Sequence, residues 1–139
     1  MKITLLPFLL AISCQVALAE KCAGFFEVSF PAGAFGLPAD ARNGLYQVIE
    51  AHRQGVVPEV FVLIGHADSK ESQYGDVAAL ALQRAETAKL LLLRGYPEFR
   101  GRVFAEGKGS TQPKSTTDSS KNRRLKFELT CSISRPEAR

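Results

Sequence analysis

The sequence predicts an α/β (α+β) two-layer sandwich, a mixed β-sheet in the order β-α-β-α-β-β with two main helices packed on it. Two observations carry this expectation. Apolar residues alternate between a two-residue period and a period near 3.6 along the chain, and each helical stripe needs an apolar sheet face to cover. No internal repeat or low-complexity tract interrupts that order, so the elements belong to one domain.

The first strand is read from Phe26, Val28 and Phe30, which alternate with Phe25, Glu27 and Ser29 and stop at Pro31. A Gly- and Pro-containing link, Pro31 to Pro38, leads into a helix over Ala39 to Arg53 with Ala41, Leu45, Val48 and Ile49 inward and Gly55 just beyond its end. Gly44 weakens that helix by roughly 1 kcal/mol relative to alanine. Val60 to Ile64 is a continuous β-branched and aromatic run suited to a buried strand, and Gly65-His66-Ala67-Asp68 leaves it as a turn. From Val77 the period is helical through Leu80, Ala81, Ala85, Ala88, Leu91 and Leu92, with Arg84 on the edge of the stripe. The helix stops at Arg94-Gly95-Tyr96-Pro97, where a left-handed cap and a proline prevent continuation. A third strand is expected over Val103 to Ala105, then a polar loop from Gly107 to Lys121, then a last strand alternating from Leu125 to Ile133. Phe25, Phe26, Phe30, Phe61, Phe104 and Phe127 are assigned to the core.

The amino terminus reads as an export signal over residues 1–19: a positive start at Lys2, an apolar region from Ile3 to Ile12, and a small-residue cleavage site at Ala17-Leu18-Ala19. A single domain over 20–139 remains, long enough for a real core. A second reading of the leader makes Leu10-Ala11-Ile12-Ser13-Cys14 a lipobox with a lipidated Cys14, which would place an otherwise periplasmic protein on the outer membrane. Cys22 and Cys131 form an even pair at opposite ends of an exported domain, which suggests a disulfide; two unpaired thiols are the alternative. No other segment approaches the roughly 18 consecutive apolar residues of a membrane span. The formal net charge is +4, falling to about +3 once Lys2 is removed, and nucleic acid is a poor partner for an exported chain of such mild balance.

Asp68 at a strand's carboxyl end and Arg84 on a neighbouring helix supply opposite charges that a ligand with an ammonium and a carboxylate would satisfy. The plainer reading is a buried salt bridge between the two. Enzymatic chemistry finds no support: His66 and His52 are the only histidines, no metal-ligand spacing occurs, and Ser110, Ser115, Thr116 and Thr117 form a polar loop without an identifiable base.

Four signatures in sequence order carry a family resemblance: Gly65-His66-Ala67-Asp68, the helical Leu80–Ala85 (LALQRA), the loop Gly107–Pro113 (GKGSTQP), and Asn122-Arg123-Arg124. Together they resemble the OmpA-like periplasmic domain shared by outer-membrane protein A, the peptidoglycan-associated lipoprotein and flagellar stator proteins. The resemblance implies non-covalent binding of peptidoglycan through diaminopimelate in its stem peptide, with no cofactor and no reaction. It gives Asp68 the ligand's ammonium and Arg84 its carboxylate, with further contacts from the backbone near Ala67 and from Arg123. The sequence departs from the family pattern at Ala67, which replaces a threonine, at Glu71, which replaces a glycine, and at Val77, which replaces a ligand-contacting asparagine; a turn about one residue longer than usual allows Asp76, one place away, to substitute as a ligand contact. A Gly-Arg pair common before Asn-Arg-Arg is replaced by Asp118-Ser119. The expected role is anchoring an envelope protein or complex to the cell wall. The alternative is a scaffold with a degenerate pocket that binds another envelope protein.

Overall fold

The computed structural model describes residues 24–53 and 57–132. The export signal, Cys14, Cys22, Gly55 and the segment from Ile133 onward lie outside the described residues. The side chain of Cys131 does too, and with it the Cys22–Cys131 pairing.

Elements run β1 (Gly24–Ser29), α1 (Ala39–Arg53), β2 (Val57–His66), α2 (Val77–Gly95), β3 (Val103–Gly107) and β4 (Arg124–Ser132), with short 3-10 turns at Ser69–Tyr74, Pro97–Phe99 and Ser119–Lys121. The sheet order among the described residues is β1-β4-β2-β3, with β4 antiparallel to both β1 and β2 and β3 parallel to β2. The mixed sheet carrying two helices is therefore the fold that the apolar periods predict.

One face of the sheet makes the core. Val28 and Phe30 of the first strand and its exit, Phe61 and Leu63 of β2, Val103 of β3, and Leu125, Phe127 and Leu129 of β4 are buried against Leu45 and Ile49 of α1 and Ala85, Ala88 and Leu92 of α2. Phe61 sits between Phe99 and Phe127, with ring centroids 4.5 and 5.7 Å away, and these aromatic contacts tie the two central strands to the turn after α2. Alanines dominate the buried stripe of α2 because β2 approaches it closely: a Cβ on Gly65 would lie 1.8 Å from the carbonyl oxygen of Ala81.

Two sequence expectations change. Phe104 is 53% exposed rather than core, because side chains alternate along a strand and its neighbour Val103 takes the inward face of β3. Gly95 is not a left-handed cap, since positive φ among the described residues is confined to Gly33, Gly75, Gly101 and Gly109. It stays helical, and a Cβ there would crowd the Tyr46 ring at 3.1 Å, so close packing explains the glycine. Tyr96 caps the helix instead, donating its amide to the Leu92 carbonyl, and Pro97 opens the next turn.

Candidate functional site

Strand direction gathers the site at one end of the sheet. The register pairs His66, the last residue of β2, with Arg124, the first of β4, and Ser29 at the end of β1 with the same Arg124. The parallel strand β3 ends with Gly107 beside Gly65. Segments leaving β1, β2 and β3, and the one entering β4, therefore converge at this end.

There a cleft of about 260 Å³ opens between the turn after β2 and the loop before β4, lined by Ala67, Asp68, Ser69 and Lys70 on one side and Ser110, Pro113, Ser115, Thr116, Ser119 and Asn122 on the other. Asp68 is its buried anion, 6% exposed. One carboxylate oxygen accepts from the Asn122 side-chain amide at 2.8 Å and the other from the Lys70 amide at 2.9 Å. The Asn122 bond, helped by the Lys70 amide, holds the carboxyl below its ordinary range against the penalty of burial. Asn122 in turn accepts from the amides of Lys114 and Ser115 and donates to the Ser115 carbonyl, so one side chain ties the loop to the anion. Its position in the Asn-Arg-Arg signature was the available signal, but only the antiparallel register of β4 against β2 reveals what it contacts.

Arg84 does not line the cleft. It is fully buried on the inner face of α2. Its guanidinium forks onto Glu71, through Nη1 to Oε1 at 2.9 Å and through Nη2 to Oε2. The remaining donors reach backbone carbonyls: Nε to Ala34 at 2.8 Å, Nη1 to His66 at 2.9 Å and Nη2 to Pro31 at 3.5 Å. The Phe30 ring lies 4.9 Å from the guanidinium carbon and covers the group further. An arginine has five N–H donors, and each has a partner here.

Local sequence explains why Glu71 is the partner. Asp68 is the N-cap of the 3-10 turn and Glu71 its third residue, so the two form a capping box in which the Glu71 carboxylate turns back to accept the Asp68 amide at 2.9 Å. That return places Glu71 against the fully buried guanidinium, where it also accepts the Gly33 amide at 2.9 Å. Burial opposes its charge, but the Arg84 hydrogen bonds and the two amides outweigh it and keep the carboxyl below its ordinary range. The buried salt bridge anticipated for Asp68 and Arg84 is thus made by Glu71 and Arg84.

The other candidate residues sit apart from this cleft or spend their polar groups on structure. The Ala67 side chain lines the cleft, yet its amide donates to the Gly109 carbonyl at 2.9 Å. Asp76 is the N-cap of α2 and accepts from the amides of Ala78 at 2.8 Å and Ala79 at 3.4 Å. Arg123 donates from Nε to the Phe30 carbonyl at 2.9 Å, closing β1 onto the entry to β4. Arg124 is buried, with Nη2 donating to the Gln112 carbonyl at 3.1 Å. Among the described residues there is no cluster of His, Cys, Asp and Glu that could hold a metal ion, and no helix long and apolar enough to cross a membrane.

This architecture recurs in solved structures. The peptidoglycan-associated lipoprotein from Burkholderia pseudomallei is 21% identical, with a TM-score of 0.54 over 76% of this chain and 89% of that one. The cell wall anchor of the T6SS from Pseudomonas aeruginosa is 22% identical, with a TM-score of 0.61 over 78% and 81%. The C-terminal domain of Helicobacter pylori MotB is 18% identical, with a TM-score of 0.61 over 73% and 83%. At these identities the likeness is one of fold. Among proteins of curated function none matches the sequence. The model of the OmpA family matches residues 29–126, from the end of β1 into β4 and through every segment that builds the cleft. The chain belongs to the OmpA family.

Proposed function

We propose that this protein is a non-enzymatic, exported module of the cell envelope that binds peptidoglycan non-covalently and holds itself or a partner protein to the wall. Family membership supports the reading, as does the likeness in fold to a peptidoglycan-associated lipoprotein and a cell wall anchor. The observation that carries it is Asp68, an anion kept ionised at the wall of an open, hydroxyl-lined cleft. An ammonium group is the natural complement, and the free amine of a diaminopimelate stem peptide supplies one. Export through residues 1–19, a periplasmic location and a Cys22–Cys131 disulfide complete the proposal. Arg84 contributes by holding the Asp68 turn in shape.

Retention by purified peptidoglycan tests this. Asp68→Asn keeps the size of the side chain and an oxygen for Asn122 but removes the charge. It is expected to lower retention about tenfold, the usual worth of one charge-assisted hydrogen bond. Undiminished retention by a folded variant would remove Asp68 from the site. A second reading, a scaffold that binds another envelope protein, is favoured by the saturation of Arg84. It predicts that the wild-type chain is not retained at all.

A further inference from the structure

Resting on the wall-binding reading, we infer that Glu71 fixes the ligand class of the cleft: it takes a primary ammonium and gains nothing from a carboxylate beside that ammonium. Stem peptides whose third residue ends in an amine alone, or in an amine next to an amidated carboxyl, are ligands equal to those bearing the free carboxylate.

The reason lies in how the cations near Asp68 are used. Recognition of a carboxylate by a planar fork needs two free guanidinium N–H groups. Arg84 has none: two face Glu71, and the others face the carbonyls of Ala34, His66 and Pro31. An incoming carboxylate would compete with one already tethered to the same turn, whose effective concentration far exceeds that of a free ligand. Displacing Glu71 would also strand its carboxylate, which is 2% exposed and accepts the amides of Gly33 and Asp68. Arg123, whose Nε donates to the Phe30 carbonyl, and Arg124, whose Nη2 donates to the Gln112 carbonyl, do not line the cleft. Among the described residues Lys70 is the only cationic side chain lining the cleft, and it is exposed to solvent, where an ion pair contributes little. What remains is one buried anion and the hydroxyls of Ser69, Ser110, Ser115, Thr116 and Ser119. That set suits a cationic amine with neutral hydrogen-bonding neighbours.

Isothermal titration of the exported chain with three synthetic stem peptides tests the inference: one ending in meso-diaminopimelate, the same peptide with its terminal carboxyl amidated, and one with lysine in that place. The expected dissociation constants agree within about threefold, because no differential contact exists. Tenfold or greater preference for the free carboxylate, about what a bidentate arginine contact supplies, overturns it. Glu71→Gly, checked for folding by circular dichroism, is expected to create a preference of about tenfold for the free carboxylate by removing both the competing charge and the side chain that covers the guanidinium. A folded variant with unchanged selectivity also overturns the inference. Should Glu71→Gly not fold, the wild-type series decides alone. Failure of the wild type to bind any of the three peptides sinks the wall-binding reading itself, an outcome distinct from binding with the wrong preference.

Discussion

Arg84 owes its place to neighbours far away in sequence. An arginine buried at 0% exposure is tolerated because Glu71 neutralises it and three carbonyls accept its spare donors. Removing the carboxylate leaves that charge uncompensated, so Glu71→Ala is expected to lower unfolding free energy by about 3–5 kcal/mol in urea titration. Replacing both partners by apolar residues of similar volume, Glu71→Leu with Arg84→Met, should recover much of the loss. A single Glu71→Ala cost below about 1 kcal/mol would show that the pair is not the brace described here. The helical period of α2 makes Arg84 conspicuous, and a buried pair was one way to satisfy it. The identity of its partner was not legible, because Asp68 and Glu71 are both carboxylates within one turn, and the capping geometry decides between them.

At the scale of elements, α2 begins where it does because Asp76 caps it and ends where Tyr96 and Pro97 replace helical partners. Asp76→Ala should cost about 0.5–2 kcal/mol of stability by thermal or urea denaturation and leave peptidoglycan retention intact. Lost retention with unchanged stability would instead make Asp76 a ligand contact. Strand and helix spans were largely readable, since alternation and the 3.6-residue period are local signals. β2 and β3 run longer than their apolar cores suggest, through Gly65-His66 and Glu106-Gly107, because Gly65 pairs with Gly107 of β3 and His66 with Arg124 of β4. Phe104 was misplaced because an aromatic residue on a short edge strand looks the same in sequence whichever face it occupies.

For the molecule as a whole, stability should fall in acid, and the groups responsible lie at the cleft end. Burial lowers the His66 imidazole from 6.5 to about 4, with Arg124, Lys126 and Lys108 acting in the same direction and Glu27 opposing. The unfolded chain therefore binds a proton there that the folded chain refuses, and stability falls as pH drops from 6.5 toward 4. Asp68 and Glu71, whose folded values also lie below their ordinary ones, add to the loss as pH falls through the carboxylate range. Melting temperature is thus expected to decline steadily from neutral pH to pH 4, with a shallower decline between pH 6.5 and 4 for a folded His66→Gln variant. An unchanged profile in that variant would exclude His66 as the source.

By itself the sequence determined the order of strands and helices, the turn that carries Asp68 and membership of a family, because apolar periods and short signatures are properties of neighbouring residues. Tertiary structure alone decided which charges face the cleft. Placing β4 between β1 and β2 brings Asn122 to Asp68 across 54 positions, and the loop after β1 closes over Arg84. Such pairings form only when distant strands meet, and once Glu71 has filled the guanidinium, Asp68 is the buried charge left at the wall of the cleft.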